Sequence, residues 1–285
     1  MVDSPVEMPI AEALVRGLLP PVLAILATLW IALRSASKEL DPESFRRGPM
    51  APVRRALGWA AIAASLYLGA FAVLGVVGQP MEWVEPGSPV VLFGLHLLFV
   101  LALTIWWAAG EPRTAAGGDR SLSEELGLES EEPVQELVLG TCVGVAIWAV
   151  VLGCVMVFGL LLSGVGLRGA LPEGMPPMVA WIVGQPWWLR LAVSLSAGVV
   201  EEVFFRGFLQ PRIGLVGSTV LFACAHLGYG EPFMLFGVTL LSLSYGLLAR
   251  WRGSVFAAVA AHATFDAVQL LVLIPTAAAA ASAGG

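Results

Sequence analysis

Residues 134–163 read VQELVLGTCVGVAIWAVVLGCVMVFGLLLS, with Glu136 as the single charged side chain. About 20 apolar residues suffice to carry a helix through a hydrocarbon layer about 30 Å thick. Backbone groups in lipid find no water, so such a run satisfies its own hydrogen bonds as a helix. Similar runs recur near 10–33, 56–77, 88–109, 177–205, 215–229, 231–249 and 253–275. The pattern predicts an all-α, polytopic transmembrane bundle of about eight spans. The sixth run is too short to cross alone. Gln185-Pro186 predicts a break, or a preceding surface helix, in the fifth. With 58% hydrophobic and 13% charged residues among 285, the apolar surface exceeds what one soluble core of this length hides.

The charged residues set organisation and exclude one class of partner. A net charge of -6 leaves no basic surface for nucleic acid. Arg34, Lys38, Arg46, Arg47, Arg54 and Arg55 crowd the first connection, Arg113 and Arg120 the third, Arg212 the fifth, and Arg250 and Arg252 the seventh. Basic loops stay cytoplasmic, so the odd-numbered connections are expected there and both termini outside. The acidic stretch 111–133 reads as a solvated cytoplasmic linker between a group of three helices, 1–110, and a bundle, 134–285. MVDSPVEM carries acids where a secretory leader carries bases, so no cleaved leader is expected. The alanine-rich tail after Pro275 is expected to be loose. Cys142, Cys154 and Cys224 lie in apolar runs without CxxC spacing, which fits helix packing rather than disulfides or thiolate zinc. No eukaryotic sorting signal is read, and a bacterial plasma membrane is the expected location. Oligomeric state is not legible.

Charges inside a bilayer are costly and usually functional. Glu201 lies eleven residues before Arg212, about 16 Å of straight helix. His226 and His262 fall about 18 Å and 15 Å from their own cytoplasmic ends, with Asp266 one turn beyond His262. Three helices thus bring a carboxylate and two imidazoles to one level. Glu202 and Arg206 are four apart and can pair, whereas Glu201 is rotated by about 100° and stays free. Phe222 stands one turn from His226. The third histidine, His96, has no polar neighbour at helical spacing and reads as a bundle histidine with its needs met. A buried network that only locks the bundle would explain Glu202 with Arg206, and a proton or ion carrier would also use such a layer. No inverted repeat of the carrier kind is visible.

EEVFFR (Glu201, Glu202, Arg206), FACAH (Phe222, His226) and HATFD (His262, Asp266) occur in that order on separate apolar helices. They resemble the EExxxR, FxxxH and HxxxN/D motifs of the CPBP family of intramembrane proteases, also called the CAAX-protease or Abi family. The likeness covers about 180–275. It implies an intramembrane endopeptidase in which Glu201 activates water held by His226, His262 donates toward the oxyanion, and Glu202, Arg206 and Phe222 support them. The substrate would be a peptide or protein segment in the membrane, cut near the cytoplasmic half of the bilayer. Asp266 departs from the commoner asparagine, so it would be protonated, orient His262, or bind metal. Glu201, His226, His262 and Asp266 are a donor set that zinc accepts. Spacing does not choose between zinc-bound and glutamate-activated water, and the reading taken requires no cofactor. A non-proteolytic scaffold or bacteriocin-immunity protein is the alternative, then a proton-coupled carrier. HExxH, GxSG and GxGD motifs are absent, and Ser218 and Ser244 have no base at a readable spacing.

Overall fold

The structure, a computed structural model, describes residues 10–36, 51–75, 89–109, 121–167, 177–227 and 232–283. The expected leader-free amino terminus and the first half of the acidic stretch lie outside these. Among the described residues every regular element is helical. In chain order they are α1 (Ile10–Ala36), α2 (Ala51–Leu66) continued by a π turn (Tyr67–Phe71), α3 (Pro89–Ala108), the short α4 (Leu122–Glu125), α5 (Pro133–Gly164) and α6 (Pro177–Gly184). Then follow α7 (Trp187–Glu202), a π segment (Val203–Leu209), α8 (Gln210–Ala225), α9 (Pro232–Arg252), α10 (Phe256–Val268), a second π segment (Gln269–Leu273) and α11 (Ile274–Ala283). The tail after Pro275 continues as α11 rather than loose chain.

The count of eight spans is corrected. Among the described residues four stretches are long and apolar enough to cross a bilayer: Pro133–Gly164, Trp187–Ala225, Phe233–Arg252 and Phe256–Ala280. Three shorter apolar helices, Leu18–Leu33, Arg55–Phe71 and Phe93–Ala108, have at most 17 residues. The expected fifth and sixth spans share the stretch Trp187–Ala225, and the first part of the expected fifth, 177–184, is set off as α6 before Gln185-Pro186.

That stretch does not run straight. Gly214 sits at φ 78°, ψ 173°, a conformation that side-chain-bearing residues rarely adopt. Ser218 Oγ donates to Phe205 O at 2.7 Å across thirteen residues, which a straight helix would hold about 20 Å apart. The chain therefore folds back at Gly214, and Phe222 on the returning arm meets Phe205 with ring centroids 5.0 Å apart. Arg212, expected in a loop, is buried instead: it pairs with Glu125 and lies 4.3 Å over the Phe208 ring. Carbonyls in both π segments take side-chain donors, Phe208 O from Arg212 Nη1 at 2.7 Å and Leu270 O from Arg190 Nη1 at 2.9 Å. Such bonds keep irregular backbone satisfied at membrane depth.

The second half of the acidic stretch holds one short helix and one anchoring side chain. Ser121 caps α4, accepting from Glu124 N at 3.0 Å, and Leu126 is buried in the main core. Glu136 takes Arg252 Nη2 at 2.6 Å, and Val255 N donates to Gly127 O at 3.0 Å. The segments after α3, at Gly214 and after α9 therefore meet at one end of the bundle. Small residues set the central packing. A Cβ on Gly140 would fall 2.3 Å from Ala257 O and one on Gly144 2.6 Å from Ala261 O, so α5 and α10 touch backbone to backbone. The largest core cluster joins Ile31, Ile62, Phe99 and Trp106 of the first three helices to Phe204, Phe205, Phe208 and Phe222.

Candidate active site

Adjacent residues on a helix face about 100° apart, and α7 uses this to send two carboxylates different ways. Glu202 is fully buried. Its Oε2 lies 3.0 Å from Arg206 Nε, and its Oε1 accepts from His262 Nδ1 at 2.8 Å. Arg206 donates through Nη2 to Ser242 O and Oγ, both at 3.2 Å, and its guanidinium lies 4.5 Å from the Phe222 ring centroid. Glu202 is thus more than a helix-face support, because it holds a motif histidine directly.

Each imidazole has one nitrogen assigned by its partner. His226 Nδ1 faces Phe222 O at 2.8 Å, and a carbonyl only accepts, so Nδ1 carries a proton and Nε2 keeps a lone pair in the neutral ring. His262 Nδ1 donates to Glu202, leaving Nε2 3.6 Å from Asp266 Oδ2. Rings hold both: Phe222 stacks on His226 at 4.5 Å, and Tyr245 stacks on His262 at 4.9 Å.

Glu201, His226, His262 and Asp266 line one cavity of about 490 Å³. That volume lies in the range of ligand sites, and most of its remaining wall is apolar, including Val151, Leu152, Val155, Phe233, Met234 and Leu241. Gln269, also in the wall, accepts from Trp148 Nε1 at 2.9 Å. Ser218 and Ser244 donate to Phe205 O and Leu240 O.

His262 Nδ1 is taken by Glu202, and its Nε2 faces a single carboxylate. Among the described residues no three or more His, Cys, Asp or Glu side chains are placed to hold an ion.

Three participants escaped the reading of the sequence. His96, read as an isolated bundle histidine, lies with Nε2 3.5 Å from Glu201 Oε1 and lines the same cavity. Tyr245 is fully buried, and its hydroxyl has no hydrogen-bond partner among the described residues. The Trp148–Gln269 pair is the third. A polar group inside an apolar run was the available signal for each.

Residues 183–268 match the family described as "Type II CAAX prenyl endopeptidase Rce1-like". This part of the chain is similar to the CPBP, or CAAX-protease, family, and the protein is an integral membrane protein. A similar curated protein is the "Uncharacterized protein YpbD" of Bacillus subtilis (strain 168), 39% identical over 77 residues, 27% of this chain and 41% of that protein. The chain therefore spans less than half the length of that relative. No solved structure matches.

Proposed function

We propose that the protein is an intramembrane endopeptidase in which Glu201 is the general base. The observation that carries this reading is the convergence of Glu201, His226, His262 and Asp266, from three helices, on one largely apolar cavity. A water in this cavity would give one proton to Glu201 while its other O–H is accepted by His226 Nε2. Its oxygen attacks the scissile carbonyl carbon, and Glu201 returns the proton to the leaving amine. His262, held at Nδ1 by Glu202 and balanced by Asp266, donates Nε2–H to the oxyanion. Asp266 thereby acts by orienting and compensating His262, a role open to an aspartate.

The apolar wall favours an extended, hydrophobic membrane segment as substrate. The cut lies toward the end of the bundle where Arg212 and Arg252 pair with acids, the cytoplasmic end with both termini outside, in a bacterial plasma membrane. Residues 134–285 carry the chemistry, and α1, α2 and α3 pack against them.

The test compares membranes containing wild-type protein with membranes containing Glu201→Gln, by terminal-peptide proteomics, and measures cleavage of the substrates so found by purified protein. Cleavage that vanishes in Glu201→Gln, while the variant keeps its thermal unfolding, is expected. Undiminished cleavage removes Glu201 as base. Flux through liposomes that depends on Glu201, without cleavage, would replace the peptidase reading by a carrier.

A further inference from the structure

We infer that His96 on α3 is a positioning residue for Glu201, so that the amino-terminal helices complete the active site. This rests on the peptidase reading above, with Glu201 as base.

Hydrogen-bond directions around His96 assign its protons. Ser196 has one hydroxyl proton, and it goes to Val193 O at 3.2 Å. The same oxygen lies 3.0 Å from His96 Nδ1 and so accepts there, which places a proton on Nδ1. His96 Nε2 then stands 3.5 Å from Glu201 Oε1. Two lone pairs do not face each other stably, so this contact shares one proton. His96 is therefore bound at both nitrogens to α7, at Ser196 and at Glu201. It fixes one carboxylate oxygen and with it the direction in which the other is presented.

The rest of α3 keeps this clamp in register. Phe99 stacks on Phe204 at 4.4 Å, Trp106 meets Phe208 at 4.8 Å, and Phe93 lies edge-on to the His96 ring at 6.4 Å. His96, Phe99, Leu103 and Trp106 form the buried stripe of the helix, and His96 is its sole titratable member. Apolar packing alone would place a leucine there. His96 also lies outside residues 183–268, so the contact belongs to this chain's own amino-terminal part.

In the catalytic cycle the clamp persists while protons move elsewhere. Glu201 gains a proton from water and loses it to the leaving amine, and the proton between His96 and Oε1 returns to its starting place. No net proton is taken from His96.

The test uses full-length protein in detergent, a cleavable membrane-segment peptide found as above, and ¹⁵N-histidine spectra. Three histidines in the chain keep those spectra assignable. His96→Leu is expected to lower kcat about 100-fold, the usual effect of a misplaced catalytic group, with KM unchanged. His96→Gln, whose amide still donates toward Glu201, should recover most of that loss. Glu201→Gln should shift the His96 Nε2 resonance in otherwise wild-type protein. Wild-type kcat in His96→Leu, with Glu201→Gln inactive, overturns this inference and leaves the peptidase reading standing. Activity in Glu201→Gln overturns the reading itself. Should His96→Leu fail to fold, unmoved His96 nitrogens in Glu201→Gln, or an inactive, folded His96→Gln, overturn the inference.

Discussion

Arg206→Met removes a buried cation while keeping most of its stem volume. Glu202, with no exposed surface, then loses the Nε contact at 3.0 Å, and Ser242 O loses its donor at 3.2 Å. Breaking a buried ion pair by deleting one member costs about 3–5 kcal/mol, because the remaining charge stays desolvated. His262 still donates to Glu202 at 2.8 Å, which places the expected loss near the lower bound, about 3 kcal/mol. The second change, Glu202→Gln, discharges the orphan and keeps an oxygen for His262 Nδ1. The double variant should therefore be more stable than the sum of the two single changes by about 1–3 kcal/mol. Reversible unfolding in mixed micelles, followed by tryptophan fluorescence, measures all four corners of the cycle. A loss below about 1 kcal/mol in Arg206→Met, or strict additivity, would refute the view that this pair is a desolvated support for His262.

Four further outcomes follow from the packing and the donor geometry. Gly144→Leu should lower the midpoint of thermal unfolding sharply, since its Cβ meets Ala261 O at 2.6 Å and Cα at 2.8 Å. Gly153→Ala, whose Cβ meets nothing within 4 Å, should leave the midpoint unchanged. Glu125→Ala removes the ion pair that ties the α4 segment to Arg212, so limited trypsin should cut at Arg120 faster than in wild type, read by gel and mass spectrometry. Peptidase activity should survive exhaustive chelation, and a loss that zinc restores would refute the glutamate route, since among the described residues no three His, Cys, Asp or Glu side chains are placed to hold an ion.

What the sequence reveals here depends on how far apart interacting residues lie. Glu202 with Arg206, Phe222 with His226 and His262 with Asp266 are each one helical turn apart, and spacing finds them. The π segment 203–209 left no trace, because apolar residues favour α and π turns alike and the choice rests on tertiary partners such as Ser218 and Arg212. The break at Gln185-Pro186 was legible from the proline, and the runs 177–205 and 215–229 fall on either side of the fold-back at Gly214, whose positive φ left no signal beyond the glycine itself. His96 was read as self-contained because its partners, Ser196 and Glu201, lie on a helix about a hundred residues later. Arg212 was read as a loop base for the same reason, its acid being Glu125.

The aromatic seam between α3 and the π segment bears on how the chain is made. Phe99 and Trp106 leave the ribosome well before Phe204 and Phe208 exist, and lipid accommodates bare rings during the wait. The imidazole of His96 gains no such shelter from acyl chains. Insertion of the first three helices is therefore provisional, and they lock only when the later glutamate helix arrives beside them.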